Sequence, residues 1–170
     1  MPFVFGYGSL MWDPSFPYLR RERAVLPGYH RAFVMAFRRV WGSPEAPCAV
    51  LGLEPGGTCE GAAYEIEVER EAAILAALAA FEGEAFELRR LPVRMAGEEV
   101  EATVAVNRRD AGDYIGGLPP EARARMVVEA AGPTAPCREY VRRTAEALEA
   151  LGIDDPGVRA FLARVEAADR

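Results

Sequence analysis

Proton-transfer chemistry has few residues to draw on in this chain. Its 170 residues include one histidine, His30, and no lysine. That leaves no HExxH zinc site, no Walker lysine and no Schiff-base lysine. A catalytic triad or a Cys–His pair would have to use His30. It sits within Gly28-Tyr29-His30-Arg31 at a strand start and is read as making a structural hydrogen bond. Acid–base work at neutral pH therefore falls mainly to carboxylates, tyrosines or thiols. The thiols are Cys48, Cys59 and Cys137, an odd number without a CxxC pairing. They are expected to be free cysteines of a cytosolic protein. A thiol enzyme is one alternative, but Cys59 reads more simply as a buried structural cysteine.

The carboxylate that stands out is Glu82. Ile74, Leu75, Leu78 and Phe81 fall at helical spacing, and Glu82 continues their stripe. A carboxylate on that apolar face loses hydration and lies at the negative end of the helix dipole. Both effects raise its pKa toward the range of a general acid–base. The competing reading is a frayed helix end, with Glu82 swung into solvent beside Glu84 and Glu87.

A second candidate is Gly6-Tyr7-Gly8-Ser9-Leu10, directly after a strand. Its glycines permit positive φ and close approach of a ligand to the backbone. Successive N–H groups there can form an anion nest or an oxyanion hole; the plainer alternative is a tight turn. It is not a dinucleotide fingerprint, because a third glycine and a following apolar helix are missing.

These residues need elements to hold them. Val4–Tyr7 reads as a strand, and so does Arg31–Val40 with Phe33, Met35 and Phe37 on one face. Trp41–Glu45 is a loop and Gly56-Gly57 a turn. Gly61–Val68 alternates as a half-buried strand. Glu69–Phe81 is an amphipathic helix that closes near Gly83. Phe86–Met95 and Glu99–Val106 are two strands joined through Gly97. Three helices follow: from Pro119-Pro120 to Gly132, from about Pro136 to Leu151, and after Asp155-Pro156. Strands first and helices last give an α+β fold, with a small barrel or curled sheet.

Length fits one domain spanning 1–170. A net charge of −6 without a long basic run argues against nucleic acid or an anionic membrane as partner. The clusters Arg20, Arg21, Arg23 and Arg38, Arg39 are read as solvated faces rather than anion sites. Met1-Pro2-Phe3-Val4-Phe5 carries no charged leader, so it is not read as a signal peptide. No apolar run reaches the roughly 20 residues of a membrane helix.

Phe5-Gly6-Tyr7-Gly8-Ser9-Leu10-Met11-Trp12 resembles the opening motif of the ChaC family of γ-glutamyl cyclotransferases. Leu26–Arg31, Gly56–Tyr64, Leu78–Phe86, Ala130–Gly132, Cys137–Tyr140 and Leu151–Asp155 match further family segments in order. The resemblance implies a small mixed β-barrel flanked by helices, with a helical C-terminal third. It implies a cofactor-free, metal-free cytoplasmic enzyme acting on a small γ-glutamyl molecule, with Glu82 as acid–base. It further implies that Tyr7, Gly8, Ser9 and Leu10 hold the γ-glutamyl group and that Tyr114 lines the pocket. The chain departs from the family at Phe81, where an arginine is usual, at Ala85-Phe86, usually Gly-Tyr, and at Trp41-Gly42-Ser43-Pro44-Glu45, usually Arg-Gly-Thr-Pro-Glu. The donor is thus left open between glutathione and γ-glutamyl amino acids or amines. A non-catalytic binding or cation-transport-regulating domain on the same scaffold is the alternative of a different class. Oligomeric state is not legible.

Overall fold

A computed structural model describes residues 1–170. Five strands, β1 (Phe3–Gly6), β2 (Arg20–Phe37), β3 (Cys48–Glu65), β4 (Phe86–Met95) and β5 (Glu98–Asn107), close into a barrel in the order β1-β3-β2-β4-β5. β1 runs parallel to β5, with Phe3 opposite Ala102 and Phe5 opposite Val104; the other pairings are antiparallel. This is the mixed barrel expected. Helix α1 (Glu71–Glu82) is inserted between β3 and β4, and α2 (Pro120–Glu129), α3 (Cys137–Ala150) and α4 (Pro156–Ala168) complete the chain.

Strand alternation divides the core. Phe3 and Phe5 belong to the main core of barrel and C-terminal helices, while Val4 points the other way. There it joins Ile66, Ile74 and Leu78 in a small cluster that seats α1. Stacked rings of Phe33 and Phe161, 4.2 Å between centroids, tie β2 to α4.

Three local expectations need correction. The second strand starts at Arg20, not Arg31, because Arg20–Pro27 pairs with Thr58–Glu65. Gly56-Gly57 does not reverse the chain: both residues have positive φ inside β3, opposite a register shift between Pro27 and Tyr29. There the long ladder bends through a bulge. Gly61–Val68 is not half-buried, because Ala62, Ala63 and Tyr64 are all buried and the strand ends at Glu65. Phe16 and Tyr18 cover the second face, edge-on to Tyr64.

The cysteine reading also changes. Cys48 and Cys137 form a disulfide with Cα atoms 5.4 Å apart, leaving only Cys59 free. Sequence spacing could not show this, since the two lie 89 residues apart and meet only when α3 docks on β3. His30 makes the structural contact anticipated, with Nδ1 2.9 Å from the Gly56 carbonyl. Arg20 bridges Glu22, Glu65 and Glu98 on the exposed seam of the barrel, as a solvated cluster should.

A crosslink closing so long a loop is expected to contribute about 2–4 kcal/mol. Cys137→Ser should lower the urea midpoint accordingly, and reductant should then have no further effect. A variant as stable as the oxidised parent would contradict this.

Candidate active site

Residues from every barrel strand and two helices meet around one cavity of about 50 Å³. Its wall holds Phe5, Tyr7–Leu10, Phe37, Trp41, Val50, Leu51, Phe81, Glu82, Phe86, Ala105 and Tyr140. Eleven of these 14 residues are hydrophobic, and Glu82 is the only carboxylate among them.

Glu82 closes α1, whose last turn stops at Gly83 with a positive φ. The expected stripe is present in part. Ile74 and Leu78 are buried, while Phe81 is 41% exposed and forms the rim. Glu82 is turned into the cavity rather than swung into solvent. Burial raises its carboxyl from the ordinary 4.5 to about 7, and the Arg39 guanidinium opposes that rise. Arg39 donates to the Phe81 carbonyl and lies over the Phe37 ring, 5.2 Å from its centroid. It therefore holds the end of α1 that carries the glutamate.

The Gly-rich turn faces Glu82 from β1. Its conformation is not the positive-φ turn expected, for neither Gly6 nor Gly8 has positive φ. Close approach is what demands glycine. A Cβ on Gly6 would come within 2.7 Å of Leu10 Cβ, and one on Gly8 within 3.1 Å of the Tyr140 hydroxyl. Ser9–Met11 forms a single 3₁₀ turn, with Met11 N–H bonded to Gly8 O. Gly8 N–H has no backbone acceptor, and Ser9 and Leu10 open the turn, where N–H groups have no partner within the helix.

Two tyrosines complete the wall. Tyr7 donates its hydroxyl to Ala105 O at 2.5 Å, and burial, then the Glu82 charge, push its pKa well above 10. Tyr140 accepts from Leu51 N–H at 3.1 Å, and burial raises its pKa too. Its hydroxyl stays neutral and has a proton to donate to an acceptor in the cavity. Trp12 and Trp41 pack edge-on against its ring at 5.5 and 5.7 Å. The strained backbone of Val40, φ 54°, sets Trp41 in place.

The sequence-derived set is thus brought together at Glu82, Tyr7, Gly8, Ser9 and Leu10. Tyr114 is not: it does not line the cavity. It bridges to Met35 on β2, and its ring lies under Arg109 at 5.4 Å. Tyr140, Trp41 and Arg39 are additions. The spacing Cys137, Tyr140, Val141, Thr144 marks a buried helix face and could have flagged Tyr140. Nothing in the sequence pattern distinguishes Arg39 from a surface arginine. Cys59 lies buried outside this wall, with its thiol pushed up to about 11 by burial, unsuited to act as a nucleophile.

A family model described as ChaC-like protein matches residues 2–168. The chain belongs to the ChaC-like family. It is 32% identical over 166 residues to gamma-glutamylcyclotransferase 2-3 of Arabidopsis thaliana, covering 91% of this chain and 83% of that protein. It is 28% identical over 171 residues to the glutathione-specific gamma-glutamylcyclotransferase of Escherichia coli K12, covering 96% and 72%. Among solved structures, a yeast γ-glutamyl cyclotransferase specific to glutathione superposes with a TM-score of 0.91 at 19% identity, over 98% of this chain and 96% of that one. A further structure named gamma-glutamyl cyclotransferase gives 0.60 at 14%, over 95% and 86%. The ChaC-like relatives are thus enzymes of one reaction class, and the barrel is the fold found in solved members of that class.

Glu82 also carries a stability signature. Its folded pKa lies above the unfolded value, so between about 4.5 and 7 the folded protein holds a proton that the unfolded chain has lost. Stability therefore falls as pH rises through that window, then stays lowered above it. Glu82→Gln should be more stable than the parent by about 1–3 kcal/mol at pH 8 and equal to it at pH 4. Urea unfolding at both pH values checks this; a variant less stable at pH 8 would refute it.

Proposed function

We propose that this ChaC-like chain, acting as one domain over 1–170, is a γ-glutamylcyclotransferase that converts the γ-glutamyl group of glutathione, or of a related compound, to 5-oxoproline. The observation that carries the reading is Glu82: one carboxylate in an apolar cavity, raised to about 7, opposite the N-terminal end of the Ser9–Met11 turn. A binding module has no need of such a carboxylate, which favours catalysis over the regulatory alternative.

The substrate supplies its own nucleophile. Its α-amine attacks the γ-carbonyl carbon, the new N–C bond closes the five-membered ring, and the amide C–N bond breaks. Holding amine and carbonyl together in the cavity removes part of the entropic barrier. Glu82, as carboxylate, takes a proton from the attacking nitrogen and returns it to the leaving nitrogen as the tetrahedral intermediate collapses. The N–H groups of Gly8, Ser9 and Leu10, and the Tyr140 hydroxyl, are placed to receive the α-carboxylate or the developing oxyanion. Protons and electrons balance, so no step calls for a metal or cofactor.

A cytoplasmic location is part of the proposal. The chain is acidic, and no helix is long and apolar enough to cross a membrane. Both half-cystines are wholly buried, which shields the Cys48–Cys137 bridge from a cytoplasmic reductant.

Glu82→Gln should lower 5-oxoproline release roughly 10²–10⁴-fold while the γ-glutamyl donor still binds by calorimetry. In the parent, kcat/KM should rise tenfold per pH unit below about 7 and level off above it. Near-parental turnover by the variant would overturn the mechanism.

A further inference from the structure

Beside the Glu82 cavity runs a groove of about 530 Å³, within the roughly 300–1,000 Å³ typical of small-molecule sites. The two share Ser9, Leu10, Trp41 and Phe81 in their walls, so the groove adjoins the reaction chamber across these residues. The chamber's own volume is a small fraction of that, and it is lined by all five barrel strands, the Gly-rich turn, Trp41, α1 and α3. Whatever is attached beyond the scissile bond must therefore extend over the shared rim.

The groove's lining has a definite chemistry. Ala73, Ile74, Ala77 and Leu78 of α1 form one side, and the Pro14–Pro17 loop with Val40 forms the other. The small side chains of Ala73 and Ala77 are what leave the space open. Two charges border it. Arg70 is already paired with Glu67 at 2.7 Å, and Asp13 accepts from Ser15 Oγ at 3.1 Å. Neither charge is left over to select among donors, so discrimination falls to the apolar wall. An apolar group meets a matching wall.

We propose that this groove is the leaving-group site and selects γ-glutamyl donors that carry a bulky apolar group beyond the scissile amide. The assignment rests on the cyclotransferase reading. The chemistry is the same ring closure: the α-amine N–C bond forms, the amide C–N bond breaks, and the proton moves through Glu82 to the departing nitrogen. The apolar group can come from two sources, an apolar amino acid or amine joined directly to the γ-carboxyl, or an alkyl group on the sulfur of glutathione.

The test is 5-oxoproline release by the full chain from four donors: γ-glutamyl-alanine, γ-glutamyl-leucine, glutathione and S-hexylglutathione. We expect kcat/KM to rise roughly tenfold or more within the first pair, the second pair, or both; the pair that responds identifies the source. Ala77→Trp should bring that ratio close to one. Ala72→Trp, with the same bulk at an exposed position of α1 outside the groove, should keep it. Release with flat ratios in the parent overturns the groove assignment and leaves the cyclotransferase reading intact. A ratio that survives Ala77→Trp overturns the placement. No release from any donor overturns both.

Discussion

The Gly-rich turn and the C-terminal helices depend on one buried guanidinium. Arg31, on β2, is the only charged side chain among the buried residues. Its Nε donates to Asp155 Oδ2 at 2.7 Å, and its Nη1 to the Tyr7 carbonyl at 2.5 Å. Asp155 in turn caps α4, accepting from Val158 N–H at 3.1 Å. A single side chain thus fixes the turn that faces Glu82 and the helix that stacks Phe161 on Phe33. The desolvation cost of burying such a charge is large, and removing one partner leaves the other uncompensated, a loss of about 3–5 kcal/mol. The turn is accordingly held by the core as well as by its own hydrogen bonds, and its N-terminal end is left facing the cavity.

Polarity is distributed around the cavity with the same economy. Tyr7 is committed to Ala105, Tyr140 accepts from Leu51, and the remaining wall is largely hydrocarbon. Glu82 therefore has little to stabilise its charge except Arg39, which acts from outside through the end of α1. A nearer cation would hold the carboxyl low and make it a weak base; a fully apolar site would keep it protonated. Value and geometry are set by the same residue pair, because the arginine that opposes the rise also grips the carbonyl preceding Glu82.

How much of this was legible in the sequence follows from the range of the interactions involved. Glu82 and α1 could be read because helical periodicity is local, and Gly83 marks the stop. The β4–β5 hairpin was legible for the same reason, its register running from Phe86 opposite Asn107 to Met95 opposite Glu98 around Gly97. The Arg20–Pro27 half of β2 escaped, because four consecutive charges, Arg20 to Arg23, hide the alternation of a strand and the pairing partner lies dozens of residues away. Tyr140, Cys48–Cys137 and the Arg31–Asp155 pair are all contacts across the fold, invisible until the barrel closes. Tyr114 was misplaced because its position rests on resemblance alone. In the fold, its bridge to Met35 and its stacking with Arg109 hold it away from the cavity wall.

The placement of α1 links the two halves of the site. The barrel strands that line the cavity are braced by Arg31 and the disulfide, whereas α1 is seated on a small cluster, Val4, Ile66, Ile74 and Leu78. Yet α1 carries Glu82 at its end and the groove-lining Ala73 and Ala77 along its side. A group filling the groove presses on the same helix that aims the base, and Phe81 and Trp41 stand between the two spaces. Contacts made by the non-reacting part of a substrate can then be realised as better positioning of the reacting groups, raising kcat rather than only tightening binding. On this fold the leaving group is recognised by the element that moves its proton, so donor preference and turnover are set by one helix.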